Sequence, residues 1–175
     1  MLNPDGVTAG NYRFSGFGCD LNRKWRSCKE NQQPEIYHMR ELIRSLNREK
    51  KVVMYIDMHG HSRKKHVFFY GCCEKGEDAS ATARPKQFPF LMEKLNEAYK
   101  YENCCFNVQK DKEGTARVTV WKDLKIDYVY TLESTFCGPE FGPNYLEADY
   151  ERIGKKLCEG VAIFFYTSQQ EKHSH

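Results

Sequence analysis

The sequence predicts an α/β fold, a mixed and largely buried β-sheet flanked by helices. Three observations carry this. Val52–His59 is an almost continuous apolar run of strand length, the pattern of a strand covered on both faces. Between Pro34 and Leu46, Ile36, Met39, Leu42, Ile43 and Leu46 recur at helical spacing. Further along, Tyr128–Thr135 reads as a strand and is followed by a long amphipathic stretch, so strands alternate with helices.

In chain order, residues 1–33 are rich in Gly, Asn, Ser and Arg and read as ordered loop. Pro34 opens the first helix, because its fixed φ suits the first helical position and its missing N–H is not needed there. The charged stretch Asn47–Lys51 ends it. The strand Val52–His59 is followed by the basic turn Arg63-Lys64-Lys65 and a second buried strand, His66–Cys72. Glu74–Arg84 is polar and reads as a loop. A helix beginning at Pro85 or Pro89 is expected to reach about Tyr101, and a short strand covers Cys104–Gln109. Thr115–Leu124 fits either a strand or a short helix. Gly138–Asn144 is a Gly/Pro loop, and Leu146–Tyr166 is a helix with Tyr150, Ile153, Leu157, Val161 and Phe164 on one face. No repeat or linker interrupts the chain. It divides into one domain over residues 1–168 and a polar, frayed tail over 169–175.

A chain of 175 residues, 40% of them apolar, can bury a real core. The formal net charge of +3 is too small to mark a nucleic-acid footprint, so nucleic acid is not an expected partner. No apolar run reaches membrane-spanning length and the first residues do not read as a signal peptide, so no membrane association is expected. Eight cysteines would suit a disulfide framework, but Cys72-Cys73 and Cys104-Cys105 are sequence neighbours, a poor geometry for ordinary bridges. They read as reduced thiols of a cytoplasmic protein, and the absence of a CxxC pair argues against a structural zinc knuckle.

Candidate chemistry concentrates in three places. Asp57-Met58-His59-Gly60-His61-Ser62 puts a nitrogen ligand at the end of a buried strand, where α/β folds place their sites, with Gly60 letting the backbone turn behind it. His61 shares the face of His59 and either lines the site or caps the turn. Glu133 ends another apolar strand. A carboxylate there is costly unless paired or functional, and desolvation would suit it to general-base work. Arg13, Arg23 and Arg117 lie in polar segments and are candidate carboxylate clamps. Arg26, Arg40, Arg44 and Arg48 read as surface arginines. His38 and Glu41 form an HxxE pair on the first helix, a spacing that can bind metal and would make a rival site with His59.

The blocks Met1–Gly6 with its Asn-Pro-Asp-Gly, Asn11-Tyr12-Arg13, Asp20-Leu21-Asn22-Arg23, Asp57–Lys65, Thr115-Ala116-Arg117 and Thr131–Gly138, in this order, resemble the zinc metallocarboxypeptidases. They are most similar to the cytosolic carboxypeptidase branch, the tubulin deglutamylases. The resemblance runs to about Tyr166. It implies a carboxypeptidase-like sheet that is incomplete at its N-terminal side. It also implies one zinc ion with His59 as its third ligand, and Glu133 as the base that deprotonates the metal-bound water. Asn22 and Arg23 would bind the substrate's terminal carboxylate, Arg13 would hold the oxyanion, Arg117 would pair with an acidic side chain, and His61 would line the site. The implied reaction is release of C-terminal glutamate from polyglutamylated or acidic-tailed proteins such as tubulin. The implied location is cytoplasmic, at microtubules or cilia.

Two departures matter. The family's first two zinc ligands come from an HxxE motif ahead of the Asn-Pro-Asp-Gly block, where this chain begins. Residues 102–127 also lack the mobile tyrosine of pancreatic members. The chain is therefore expected to be the C-terminal part of a catalytic domain, inactive alone. The alternatives are an inactive module that binds acidic tails through its arginines, or a different metal hydrolase using His38, Glu41 and His59.

Overall fold

A computed structural model describes residues 1–73 and 79–173. Its strands β1 (Met54–His61), β2 (Val67–Cys73), β3 (Cys105–Asn107) and β4 (Tyr128–Thr135) form one sheet in the order β1-β4-β2-β3. Five α-helices accompany it: α1 (Pro4–Thr8), α2 (Pro34–Glu49), α3 (Ala79–Leu95), α4 (Ala116–Leu124) and α5 (Glu147–His173). By packing, the chain divides into two units. One comprises Met1–Asp57 with Asn107–Val129, the other Met58–Phe106 with Tyr130–His175.

In the first unit, the segment expected as loop contains α1 and a single 3-10 turn, Leu21–Arg23. Asn3 caps α1 by accepting from the Gly6 amide at 3.1 Å. The core gathers Leu21, Trp25, Ile36, Ile43, Ala116, Val120, Ile126 and Val129. Leu42 and Leu46, expected on the buried face of α2, are exposed, because the buried stripe is narrower and runs through Ile36 and Ile43. Arg40 is not a surface residue: its side chain is 11% exposed and Nη1 donates to the Trp25 carbonyl at 2.7 Å. Thr115–Leu124 resolves as a helix. Five consecutive residues, Ala116 to Val120, are buried, so this part of the segment has no polar face and shows no helical period, while the exposed Lys122 and Asp123 follow it.

The second unit is built on β2 and β4, antiparallel with Val67 opposite Ser134 and Phe69 opposite Leu132. Phe69 stacks on Tyr99 at 5.7 Å and meets Phe88 and Tyr130 edge-on. Helix α3 starts at Ala79 and stops at Leu95, earlier at both ends than expected, and it passes through Pro85 and Pro89. Pro89 has no N–H to give the Pro85 carbonyl, which would be left without its helical donor. The Tyr130 hydroxyl donates to that carbonyl at 2.9 Å instead. Residues 74–78 of the expected loop lie outside the described residues. Helix α5 buries Ile153, Leu157 and Phe164 as expected and runs on to His173, past the boundary expected at residue 169.

Strand β1 departs from expectation. It lies at an edge of the sheet, and its residues are half-buried or exposed rather than covered on both faces. Only one of its ladder sides is paired within the sheet, and Met58 is 71% exposed. All eight cysteines are free thiols. Among the described residues no helix is long and apolar enough to cross a membrane.

Candidate functional site

The first unit holds Arg13, Asn22, Arg23 and Arg117. Asp20, which the sequence reading did not single out as a site residue, ties Arg13 to the Asn22 turn. One carboxylate oxygen accepts from the Asn22 amide at 2.9 Å, shaping the 3-10 turn, and the other accepts from Arg13 Nη1 at 3.0 Å. That bond to Asp20 raises the Arg13 pKa and keeps the guanidinium charged. The Asp-x-Asn pattern was the available signal, since a short polar side chain two residues before another amide is an Asx-turn in waiting.

Asn22 serves a second segment. Its Oδ1 accepts from the Ala116 amide at 2.9 Å, across 94 positions of sequence. The local N-cap residue of α4, Thr115, makes no capping bond with its side chain, so Asn22 caps this helix from a distance. The contact is close because Gly114 has no side chain: a Cβ there would stand 2.7 Å from the Arg23 carbonyl oxygen. The Trp25 amide donates to the Gly114 carbonyl at 3.2 Å and closes the same junction. The Asn22-Arg23 turn is thus docked at the start of α4, one residue before Arg117. Arg117 is buried, whereas Arg23 is exposed with Nη1 on the Asn22 carbonyl at 3.1 Å. An arginine in the first turn of α4 and the N-terminus of that helix both favour an anion.

The second unit holds His59, His61 and Glu133. Gly60 does not turn the chain, as the sequence suggested, because β1 continues through it to His61. Its role is contact: a Cβ on Gly60 would stand 2.2 Å from the ring of Phe136. The Phe136 amide also donates to the His61 carbonyl at 3.1 Å, so the ends of β1 and β4 are joined there. Glu133 is half-buried and directly opposite Phe68, so their side chains share a face of the sheet. The His61 ring meets the Phe68 ring edge-on at 5.2 Å and is therefore on that face, and strand alternation places His59 there too. His59, His61 and Glu133 accordingly converge on one side of the sheet end, and Phe136 packs on the other.

His61 caps the basic turn: Nδ1 accepts from the amides of Arg63 and Lys64 at 3.1 and 3.0 Å. Burial, with Lys64 and Arg63 close by, lowers its pKa, so the imidazole is held neutral. The rival site does not form. His38 faces Glu30 at 3.8 Å on an exposed surface, and Glu41 accepts from Arg44 at 2.6 Å. Among the described residues, no three His, Cys, Asp or Glu side chains come together to hold a metal. The described residues therefore do not fit a complete metal centre.

No family model matches the chain. Its fold is that of the metallo-carboxypeptidases. A metallo-carboxypeptidase from Burkholderia cenocepacia superposes with a TM-score of 0.81 over 95% of this chain and 43% of that one, at 19% identity. A second, from Pseudomonas aeruginosa in complex with (2-guanidinoethylmercapto)succinic acid, superposes at 0.78 over 94% of this chain and 44% of that one, at 23% identity. By sequence, the chain is related along nearly its whole length to the cytosolic carboxypeptidases. It is 41% identical over 169 residues to cytosolic carboxypeptidase 2 of Danio rerio, covering 94% of this chain and 23% of the relative. Against cytosolic carboxypeptidase 1 of Homo sapiens it is 39% identical over 181 residues, covering 92% of this chain and 14% of the relative. The chain therefore spans less than a quarter of the length of these relatives.

Proposed function

We propose that this chain is the C-terminal part of the catalytic domain of a zinc-dependent carboxypeptidase that releases C-terminal glutamate from acidic or polyglutamylated protein tails, tubulin among them. The observation that carries the reading is the 41% identity to a cytosolic carboxypeptidase over 94% of the chain. In this reading His59 is one metal ligand, and an HxxE motif in a preceding segment of a longer polypeptide supplies the other two. The metal ion would polarise the scissile carbonyl and activate water. Glu133 takes a proton and returns it to the leaving amine. Asn22 and Arg23 hold the terminal carboxylate, Arg13 holds the developing oxyanion, and the buried cation Arg117 selects an acidic side chain. The protein acts in the cytoplasm, at microtubules or cilia.

The test uses the longer polypeptide with its HxxE motif. Glu133→Gln should abolish glutamate release from a peptide ending in glutamates while leaving metal content unchanged, and retained activity would refute the general-base role. A second reading, an inactive module that binds acidic tails through its arginines, is favoured by the lack of a metal-holding cluster among the described residues. If the longer polypeptide carries no HxxE motif and releases no glutamate, but the chain still binds a glutamate peptide, that reading replaces the first.

A further inference from the structure

The segment between β1 and β2 contains a residue that the proposed reaction does not use. His66 has φ of 65°, a left-handed conformation uncommon for a residue with a side chain. Three hydrogen bonds hold it. Its amide donates to the Gly138 carbonyl at 3.1 Å, its carbonyl accepts from the Thr135 amide at 3.1 Å, and its Nε2 accepts from the Glu140 amide at 3.1 Å. The first two fix the backbone where the chain leaves β4, and the third reaches further along the same loop. That loop is itself compact. The Tyr145 amide closes onto the Cys137 carbonyl at 2.6 Å, and a Cβ on Gly138 would stand 2.9 Å from the Pro143 carbonyl oxygen.

The bond from Glu140 dictates a protonation state. An amide N–H donates to Nε2, so Nε2 carries no hydrogen, and the proton of the neutral ring sits on Nδ1. Nδ1 is buried without a hydrogen-bond partner among the described residues. A second proton on the ring would point an N–H at the Glu140 amide, donor against donor, and break the bond. Left-handed backbone at His66 is disfavoured for a residue with a side chain, and the surrounding contacts must sustain it.

We propose that His66 is a positioning residue: as the neutral imidazole it latches residues 136–140, the segment that follows Glu133, against the segment that follows His59. Its consequence for catalysis rests on the function proposed above, but the latch itself does not. Protonation opens it. The groups facing the ring are Lys100 and Glu102, on the segment after α3, and Glu140 on the loop. Burial and then Lys100 lower the pKa, outweighing Glu140 and Glu102. Because the latched state binds fewer protons than the open one, the latch is fully present above the ordinary histidine value of about 6.5 and is lost as pH falls below it.

The latch is tested on the 15N-labelled chain by following the His66 ring nitrogens and the exchange protection of the Glu140 amide between about pH 8 and pH 5, across the histidine range. At neutral pH the ring should be the Nδ1–H tautomer, and on acidification Glu140 should lose roughly tenfold protection with the ring's own midpoint, the scale of one hydrogen bond. In His66→Gln an amide oxygen replaces the acceptor without titrating, so protection should persist across the range, whereas His66→Ala should lack it throughout. An Nε2–H tautomer at neutral pH, or Glu140 protection indifferent to the ring's titration, overturns the latch. In the longer polypeptide, His66→Gln should remove the acid-side fall in kcat that tracks this midpoint, and an unchanged pH profile overturns the positioning role. Absence of glutamate release at every pH refutes the proposed function and leaves the latch to be judged on the amide data.

Discussion

Asn22 is assigned two duties, and one pair of substitutions separates them. Its Oδ1 accepts from the Ala116 amide at 2.9 Å and serves as the cap that Thr115 does not provide. Asn22→Ala deletes that acceptor and leaves a helix N-terminal donor without a partner, a loss of about 0.5–2 kcal/mol for a capping side chain. In a chain of 175 residues each kcal/mol lowers the melting temperature by about 2–4 °C, so the expected fall is on the order of 1–8 °C. Asn22→Asp keeps an oxygen at the same place, and its negative charge at the start of α4 is favourable by about 0.3–1 kcal/mol. Its stability should equal or exceed that of the parent. The same substitution turns an amide donor into a carboxylate, so binding of a peptide with a terminal glutamate should be lost in both variants. Thermal unfolding followed by circular dichroism measures the first effect and peptide titration of the longer polypeptide the second. If Asn22→Asp proves as unstable as Asn22→Ala, the cap has been misassigned. If it is stable and binds peptide normally, Asn22 is only structural.

Tyr130→Phe should destabilise the chain more than Tyr99→Phe, in urea midpoints measured side by side. Tyr130 supplies the donor that Pro89 cannot give to the Pro85 carbonyl, so its loss orphans a buried acceptor at about 1–3 kcal/mol, whereas the Ile153 carbonyl bonded by Tyr99 lies inside α5 with an ordinary helical donor. Equal costs would refute the role given to Tyr130. Gly114→Ala should cost about 1–3 kcal/mol as an overpacked contact, because the atom it meets at 2.7 Å is the Arg23 backbone oxygen rather than a movable side chain. An unchanged urea midpoint would show that the turn yields easily.

What the sequence revealed depended on whether the deciding partner was local. Tyr128–Thr135 is found as the strand it was read to be, and α5 buries Ile153, Leu157 and Phe164 as spaced. Helix α3 was misread because proline is a local signal and its remedy, the Tyr130 hydroxyl, lies 45 positions away. Helix α4 is ambiguous because burial of five consecutive residues, Ala116 to Val120, erases periodicity over most of its length. In the site, strand alternation was enough to group His59 with His61, and ring contact through Phe68 adds Glu133. The cap made by Asn22 and the latch made by His66 had no local signature, since each depends on a backbone amide brought in from a distant segment.

The structural bonds of these polar residues also determine what they can offer a ligand. Asn22 spends its oxygen on the Ala116 amide, which fixes the orientation of the side-chain amide. His61 spends Nδ1 on two backbone amides, so its neutral ring carries hydrogen on Nε2 and presents a donor. The arginines can only donate. His61, which in solution would accept as readily as it donates, has been converted by the fold into a donor. Oxygen acceptors of any kind satisfy donors, and anionic oxygens do so through stronger, charge-assisted bonds, so cationic donors favour carboxylates.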